Sequence, residues 1–265
     1  MSVRAGSGRE TKESIFLELS RVGRVGRAVR CNREIREIEM VDQVWISEVM
    51  SNNELGNKVG IRQKWFGEPW EAPYVNHFVP DISAKVKTAV YAHYAGHTLK
   101  REDMPEAAAV YSMSHFRRAK DVFYAGGFLA VKGKVAEVLS KFDFGAGGGL
   151  VPYTIYEADE KTPLPGPFYI VNFGPFKDCF LPDESNNIRK LAVDRTTGEA
   201  FWAVSYVKDG DVAVSPASLA GADLWMCPGV EGRIFMSNRV VEALKTALSD
   251  ADFGDFMLHR CRVVG

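Results

Sequence analysis

His93 and His97 come nearest, of the reactive side chains in this chain of 265 residues, to a recognisable constellation. Four residues apart, they would share one face of a helix, the geometry of paired metal ligands. No Glu follows His93 as a metalloprotease helix requires, and Gly96 weakens the helix between them. His77, His115 and His259 have no neighbouring ligand type. Cys31, Cys179, Cys227 and Cys261 are widely separated, without metal-knuckle spacing. Their even number permits two disulfides, but a chain this long needs none, so reduced thiols are expected. Cys179 or Cys261 could meet a distant histidine only through folding, and nothing local supports that pairing. Asp178, Asp183 and Glu184 offer carboxylates for acid-base work, yet a polar turn uses the same residues. Gly145, Gly147, Gly148 and Gly149 lack the Lys-Ser or Lys-Thr of a phosphate loop, and Pro152 blocks a following helix, so a tight turn is the better reading. Ser237 sits in no Gly-x-Ser-x-Gly elbow and is better used as a helix cap. The reading therefore assigns no catalytic residue, no cofactor site and no metal site.

Two stretches have the composition of contact surfaces instead. Arg21, Arg24, Arg27, Arg30, Arg33 and Arg36 recur every third residue near the start. Trp65, Phe66, Trp70, Tyr74 and Phe78 follow among prolines. Aromatic and Arg side chains are the usual anchors of protein interfaces, so Arg24, Arg27, Arg30, Trp65, Phe66, Trp70 and Tyr74 are the candidate partner-binding residues. A formal net charge of -1 sets up no global field towards nucleic acid or anionic membrane. The arginines have no interleaved aromatic to stack bases, which disfavours nucleic acid as the partner. The N-terminus lacks the apolar core of a signal peptide, and no run approaches a membrane span. A cytoplasmic protein with no membrane partner is expected.

The elements that must position these residues are clearest at the end of the chain. Ile234, Phe235 and Met236 read as a strand, Ser237 and Asn238 as a helix start, and Val240, Val241, Leu244, Ala247 and Leu248 as a helical stripe. Phe256, Leu258, Arg260, Arg262 and Val264 then alternate as a closing strand. A weaker copy runs from Phe128 to Val131 as strand and from Lys134 to Phe142 as helix, with Val135-Ala136-Glu137-Val138-Leu139 lying over Val240-Val241-Glu242-Ala243-Leu244. Strands are further expected at Gln43 to Val49, Val151 to Glu157 and Phe168 to Phe173, and a hairpin joins Leu191-Val193 to Ala200-Tyr206. A helix is expected to begin at Pro105 and continue to Tyr111, while Val86 to Tyr94 is compatible with strand or helix. With 46% hydrophobic and 25% charged residues the composition is that of a globular protein. The expected class is α+β: a mixed or antiparallel sheet framework with a few packed helices and two similar strand-helix-strand units. Its expected parts are a basic extension (1–39), an N-terminal α+β region (40–125) and a C-terminal region (126–265).

The second half also carries a resemblance. Phe168-Tyr169-Ile170-Val171-Asn172-Phe173, Leu181-Pro182-Asp183-Glu184-Ser185, Ala222-Asp223-Leu224-Trp225, Gly232-Arg233-Ile234-Phe235-Met236-Ser237 and Val241-Glu242-Ala243-Leu244 occur in order. Together with the closing Phe256 to Val263 they resemble a family of bacterial immunity proteins of polymorphic toxin systems, over roughly Phe123 to Val264. The resemblance implies a non-enzymatic protein that binds and neutralises a cognate protein toxin by direct contact, with homo-oligomerisation left open. The basic segment before Met40 has no counterpart in that family. The competing expectation is an enzyme or small-molecule-binding protein whose site is assembled only in three dimensions.

Overall fold

The computed structural model describes residues 43–55, 59–71, 84–196 and 198–265. The chain divides into residues 1–41 and 42–265, and every described residue belongs to the second unit. The expected basic extension with Arg24, Arg27 and Arg30 lies outside the described residues, as does Tyr74.

The fold is α+β, built on two main sheets with two further two-stranded pairs. The smaller comprises β1 (Val44–Ser47), β11 (Leu224–Trp225), β12 (Ile234–Ser237) and β13 (Leu258–Arg260) in the spatial order β11-β12-β1-β13, antiparallel throughout. Side chains alternate across it with the period of a strand. Leu224, Ile234 and Met236 enter one core, whereas Val44, Ile46, Trp225 and Phe235 enter another, where the Trp225 and Phe235 rings stack 6.0 Å apart. The expected closing strand divides at Cys261, whose N–H donates to Val44. There the chain leaves the small sheet and continues as β14 (Arg262–Val263), parallel to β10 (Ala213–Val214).

The larger sheet comprises β2 (Ile61–Trp65), β3 (Pro105–Val110), β4 (Val122–Ala125), β5 (Phe128–Lys132), β6 (Gly149–Tyr156) and β7 (Phe168–Asn172), in the order β2-β3-β6-β7-β5-β4. The expected helix at Pro105 is in fact strand β3, antiparallel to β2 and parallel to β6. Ala107, Ala108 and Ala109 have strong helical propensity, but the ladder on both sides satisfies their backbone and all three side chains are buried. Their small size lets both faces of the sheet close over them. Conversely, the ambiguous Val86 to Tyr94 stretch lies in helix α1 (Ala84–Ala95).

A short helix α2 (Met113–Phe116) precedes β4. Helices α3 (Gly133–Leu139) and α4 (Asn238–Ala247) follow β5 and β12 directly, so both strand-helix units of the sequence are present. They occupy different sheets, yet Val135, Val138 and Leu139 of α3 share one core with Val240, Val241 and Leu244 of α4. The expected boundary near residue 125 falls inside the β4–β5 hairpin, whose strands pair from Val122–Val131 to Ala125–Phe128. Residues 42–265 are one compact unit. The expected hairpin is present as β8 (Ile188–Val193) and β9 (Ala200–Val204). A five-residue helix α5 (Asp250–Gly254) follows α4; the Ser249 hydroxyl caps it by accepting the Asp252 N–H.

Candidate functional site

Strands β2 and β4, the two ends of the larger sheet, approach each other, so the sheet curls towards closure. The tight turn between β4 and β5 makes this possible. Gly126 and Gly127 both have positive φ, +58° and +90°, which glycine adopts without steric cost. A Cβ on Gly126 would stand 2.5 Å from the Gln63 side chain, and one on Gly127 would stand 2.6 Å from Val90. The turn is therefore wedged between β2 and α1, and only glycines fit there.

Helix α1 is pinned at its C-terminal end by His93. The imidazole is fully buried between Phe128 and Phe173, with ring centroids at 4.7 and 5.4 Å. Its Nε2 accepts the Leu129 N–H at 3.0 Å, just where the pairing of β5 with β7 stops at Ala130–Ile170. That bond fixes the tautomer with the proton on Nδ1, which has no hydrogen-bond partner among the described residues. Burial pushes the imidazole pKa down to about 3, so it stays neutral. Asn172 holds the chain beyond the helix: its side chain accepts from the Leu99 N–H and donates to the carbonyls of Leu99 and Gly147, each at 3.0 Å.

Between this helix, the β4–β5 turn, the start of β2 and the 3₁₀ turn Val49–Ser51 lies an open cleft of about 910 Å³. Its walls carry four tyrosines, Tyr91, Tyr94, Tyr111 and Tyr124, together with Val86, Val90 and Ile61. Tyr91 and Tyr94 stand on the cleft side of α1 because Val86 and Val90, one turn apart, set that side towards the cleft. Tyr91 is 57% exposed, and its hydroxyl donates to Glu231 at 2.6 Å. Tyr94 lies over Gly232, where a Cβ would stand 2.4 Å from its ring. Tyr124 is largely buried and its hydroxyl donates to the Val49 carbonyl.

The hydrogen bond to Glu231 raises the Tyr91 pKa, and burial raises that of Tyr124, so both phenols remain protonated at neutral pH. Glu71 on the cleft wall already accepts the Gln63 N–H and the Trp65 indole, each at 2.9 Å. Beneath the floor, buried Arg233 faces Glu48 at 3.4 Å and donates to the Ser51 hydroxyl at 2.7 Å and the Ser205 hydroxyl at 3.0 Å. This network fixes the 3₁₀ turn that carries Met50 and Asn52 into the cleft. What the arrangement presents is ring faces, hydroxyls and backbone at a rigidly backed surface.

The residues suggested by the sequence are distributed differently. Trp65 is a core residue, 2% exposed and packed on Phe128, so it offers no ring face to a partner. Phe66 is half-buried beneath the Arg101 guanidinium, and Trp70 sits edge-on to Tyr156 with Arg62 over its ring. His97 points at Phe176 rather than pairing with His93. Burial pushes the Cys261 thiol up, opposite to what a nucleophile needs. Ser237 occupies the start of α4, but its hydroxyl donates to Asp223 at 2.7 Å instead of capping the helix. Among the described residues no three His, Cys, Asp or Glu side chains converge as a metal site. Nor is any helix among them long and apolar enough to cross a membrane. No local pattern in the sequence marks the tyrosines of the cleft, because Tyr91, Tyr94, Tyr111 and Tyr124 come from three separate segments. The available signal was the pair Tyr91 and Tyr94 in a stretch that reads equally as strand. No protein-family model and no curated protein matches the chain.

Proposed function

We propose that the chain is an immunity protein that binds and neutralises a cognate bacterial toxin by direct protein contact, in the cytoplasm of the cell that makes it. The observation that carries this reading is the open cleft backed by β2, β4 and α1 and lined by four tyrosines. Tyrosine supplies large, rigid contact area at low cost in conformational entropy, which is why it recurs among interface hot spots. The ordered resemblance from Phe168 to Val263 supports the same reading. A toxin segment entering the cleft would form part of an interface that buries on the order of 1,200 to 2,000 Å² in total.

The test is capture of the toxin by the tagged protein from cells expressing both, followed by relief of toxicity on co-expression. With the toxin in hand, Tyr91→Ala and Tyr94→Ala are each expected to weaken binding by roughly 10- to 100-fold while circular dichroism is unchanged. Full affinity in both variants would move the binding face away from the cleft, and failure to capture any toxin would remove the reading. A second reading, binding of a small molecule, is favoured by the cleft volume, which falls within the roughly 300 to 1,000 Å³ of ligand pockets. A thermal shift with a metabolite, abolished by Tyr111→Ala and unaffected by toxin, would support it.

A further inference from the structure

Three cysteines that the cleft does not use, Cys179, Cys227 and Cys261, lie in the core behind the small sheet. Two of them are in contact: the sulfurs of Cys179 and Cys227 are 3.6 Å apart. The backbone brings them there, because the Lys177 N–H donates to the Met226 carbonyl at 3.1 Å and lays the segment Lys177–Cys179 along Met226–Cys227. The Lys177 ammonium lies near the pair. It stands 3.6 Å over the Trp225 ring and donates to the carbonyls of Ala222 and Ser218 at 2.7 and 3.3 Å.

We propose that Cys179 and Cys227 are an oxidisable dithiol, with Cys179 the attacking and Cys227 the resolving thiol towards a hydroperoxide. The two sulfurs are not equivalent. The hydrogen bond from Cys227, with the nearby Lys177 charge adding to it, holds the Cys179 thiol below its ordinary value, whereas burial pushes Cys227 well up. Both cysteines are buried, Cys179 at 2% and Cys227 at 1% exposure, but Cys179 directly follows exposed Asp178 and half-buried Lys177, so the approach of a small peroxide is along that segment. In the first step the Cys179 thiolate attacks one oxygen of hydrogen peroxide and the O–O bond breaks. Cys179 becomes a sulfenic acid, and the departing hydroxide takes up the thiol proton as water. In the second, Cys227, already in contact with Cys179, gives up its proton as its sulfur attacks the sulfenic sulfur; the S–O bond breaks and the sulfenic hydroxyl leaves with that proton as a second water. Two thiols are oxidised to one disulfide as one peroxide is reduced to two waters. The new bond would close a loop spanning a sequence separation of 48 that contains the β8–β9 hairpin and β10, fixing that segment to the small sheet.

The experiment treats the purified full chain with hydrogen peroxide, then denatures it, alkylates free thiols and maps peptides without reduction. The expected result is a loss of two hydrogen atoms from the intact mass. One cross-linked peptide pair should contain Cys179 and Cys227, with Cys31 and Cys261 alkylated. Dithiothreitol should reverse the change. The oxidised form should melt several degrees higher than the reduced one, as closing a loop of this length constrains the unfolded chain. In Cys227→Ser, the Cys179 sulfenic acid should persist and be trapped by dimedone. Four alkylated cysteines after peroxide, a link through Cys31 or Cys261, or further oxidation of Cys179 to a sulfinic acid in the wild-type chain would each overturn the proposal.

Discussion

His93 links a single ring nitrogen to the stability of the protein. The group has an ordinary pKa of 6.5, and burial lowers it to about 3 in the folded state. Below 6.5 the unfolded chain binds a proton that the folded one refuses, so acid favours unfolding through this residue. The contribution is fully present above the unfolded value and is lost as pH falls towards 3, at no more than about 1.4 kcal/mol per pH unit for one proton. The urea midpoint should therefore drop between pH 7 and pH 4.5. His93→Gln, which can still accept the Leu129 N–H, should show a shallower drop; equal slopes would assign the acid sensitivity to carboxylates. Asp223 makes a second residue-scale case. Its buried carboxylate accepts the Ser237 hydroxyl at 2.7 Å, the Asp143 N–H at 3.2 Å and the Arg239 guanidinium at 2.8 Å. It thus ties the chain leaving α3 to the start of α4. Asp223→Ala removes all three bonds at once and is expected to cost about 1–3 kcal/mol in equilibrium unfolding. Little of that belongs to Arg239, which is exposed.

At the scale of elements, the cleft depends on a turn and a helix fitting without a side chain between them. Gly127→Ala is expected to lower stability by about 1–3 kcal/mol or more, because it meets both an unfavourable φ of +90° and Val90 at 2.6 Å. Gly198→Ala separates the two causes. Gly198 has a φ of +75° with nothing within 4 Å of an added Cβ, so it should cost only the backbone term. A difference between the two variants in urea denaturation measures the packing of the turn against α1, and only Gly127→Ala should also weaken toxin binding. The β8–β9 hairpin is an element of another kind. Leu191 and Val193 are exposed on β8, and the register shifts between Lys190 and Ala192. A bulge and flanking cations on an outer strand discourage pairing with another chain, so the exposed apolar residues need not imply association.

At the scale of the molecule, residues 42–265 close as one unit and are expected to unfold in one cooperative transition, with equal van't Hoff and calorimetric enthalpies. Two separate transitions in calorimetry would divide that unit. The sequence by itself determined what short-range periodicity encodes. It specified β5–α3 and β12–α4 as strand-helix units, the β8–β9 hairpin, the apolar strand at Phe168 and the turn role of the glycines after Phe144, because burial of one face imposes a period of 2 or 3.6 on local residues. Only the tertiary structure decided the rest. Ala107 to Ala109 are strand because β2 and β6 supply hydrogen bonds from 40 or more positions away in sequence, overriding their helical propensity. Trp65 is core because the curled sheet closes over it, and a proline-rich neighbourhood cannot report that burial. The tyrosine cleft and the Cys179–Cys227 contact are likewise products of closure: residues from separate segments become neighbours only once long-range packing has been satisfied, and no local pattern records which faces will meet.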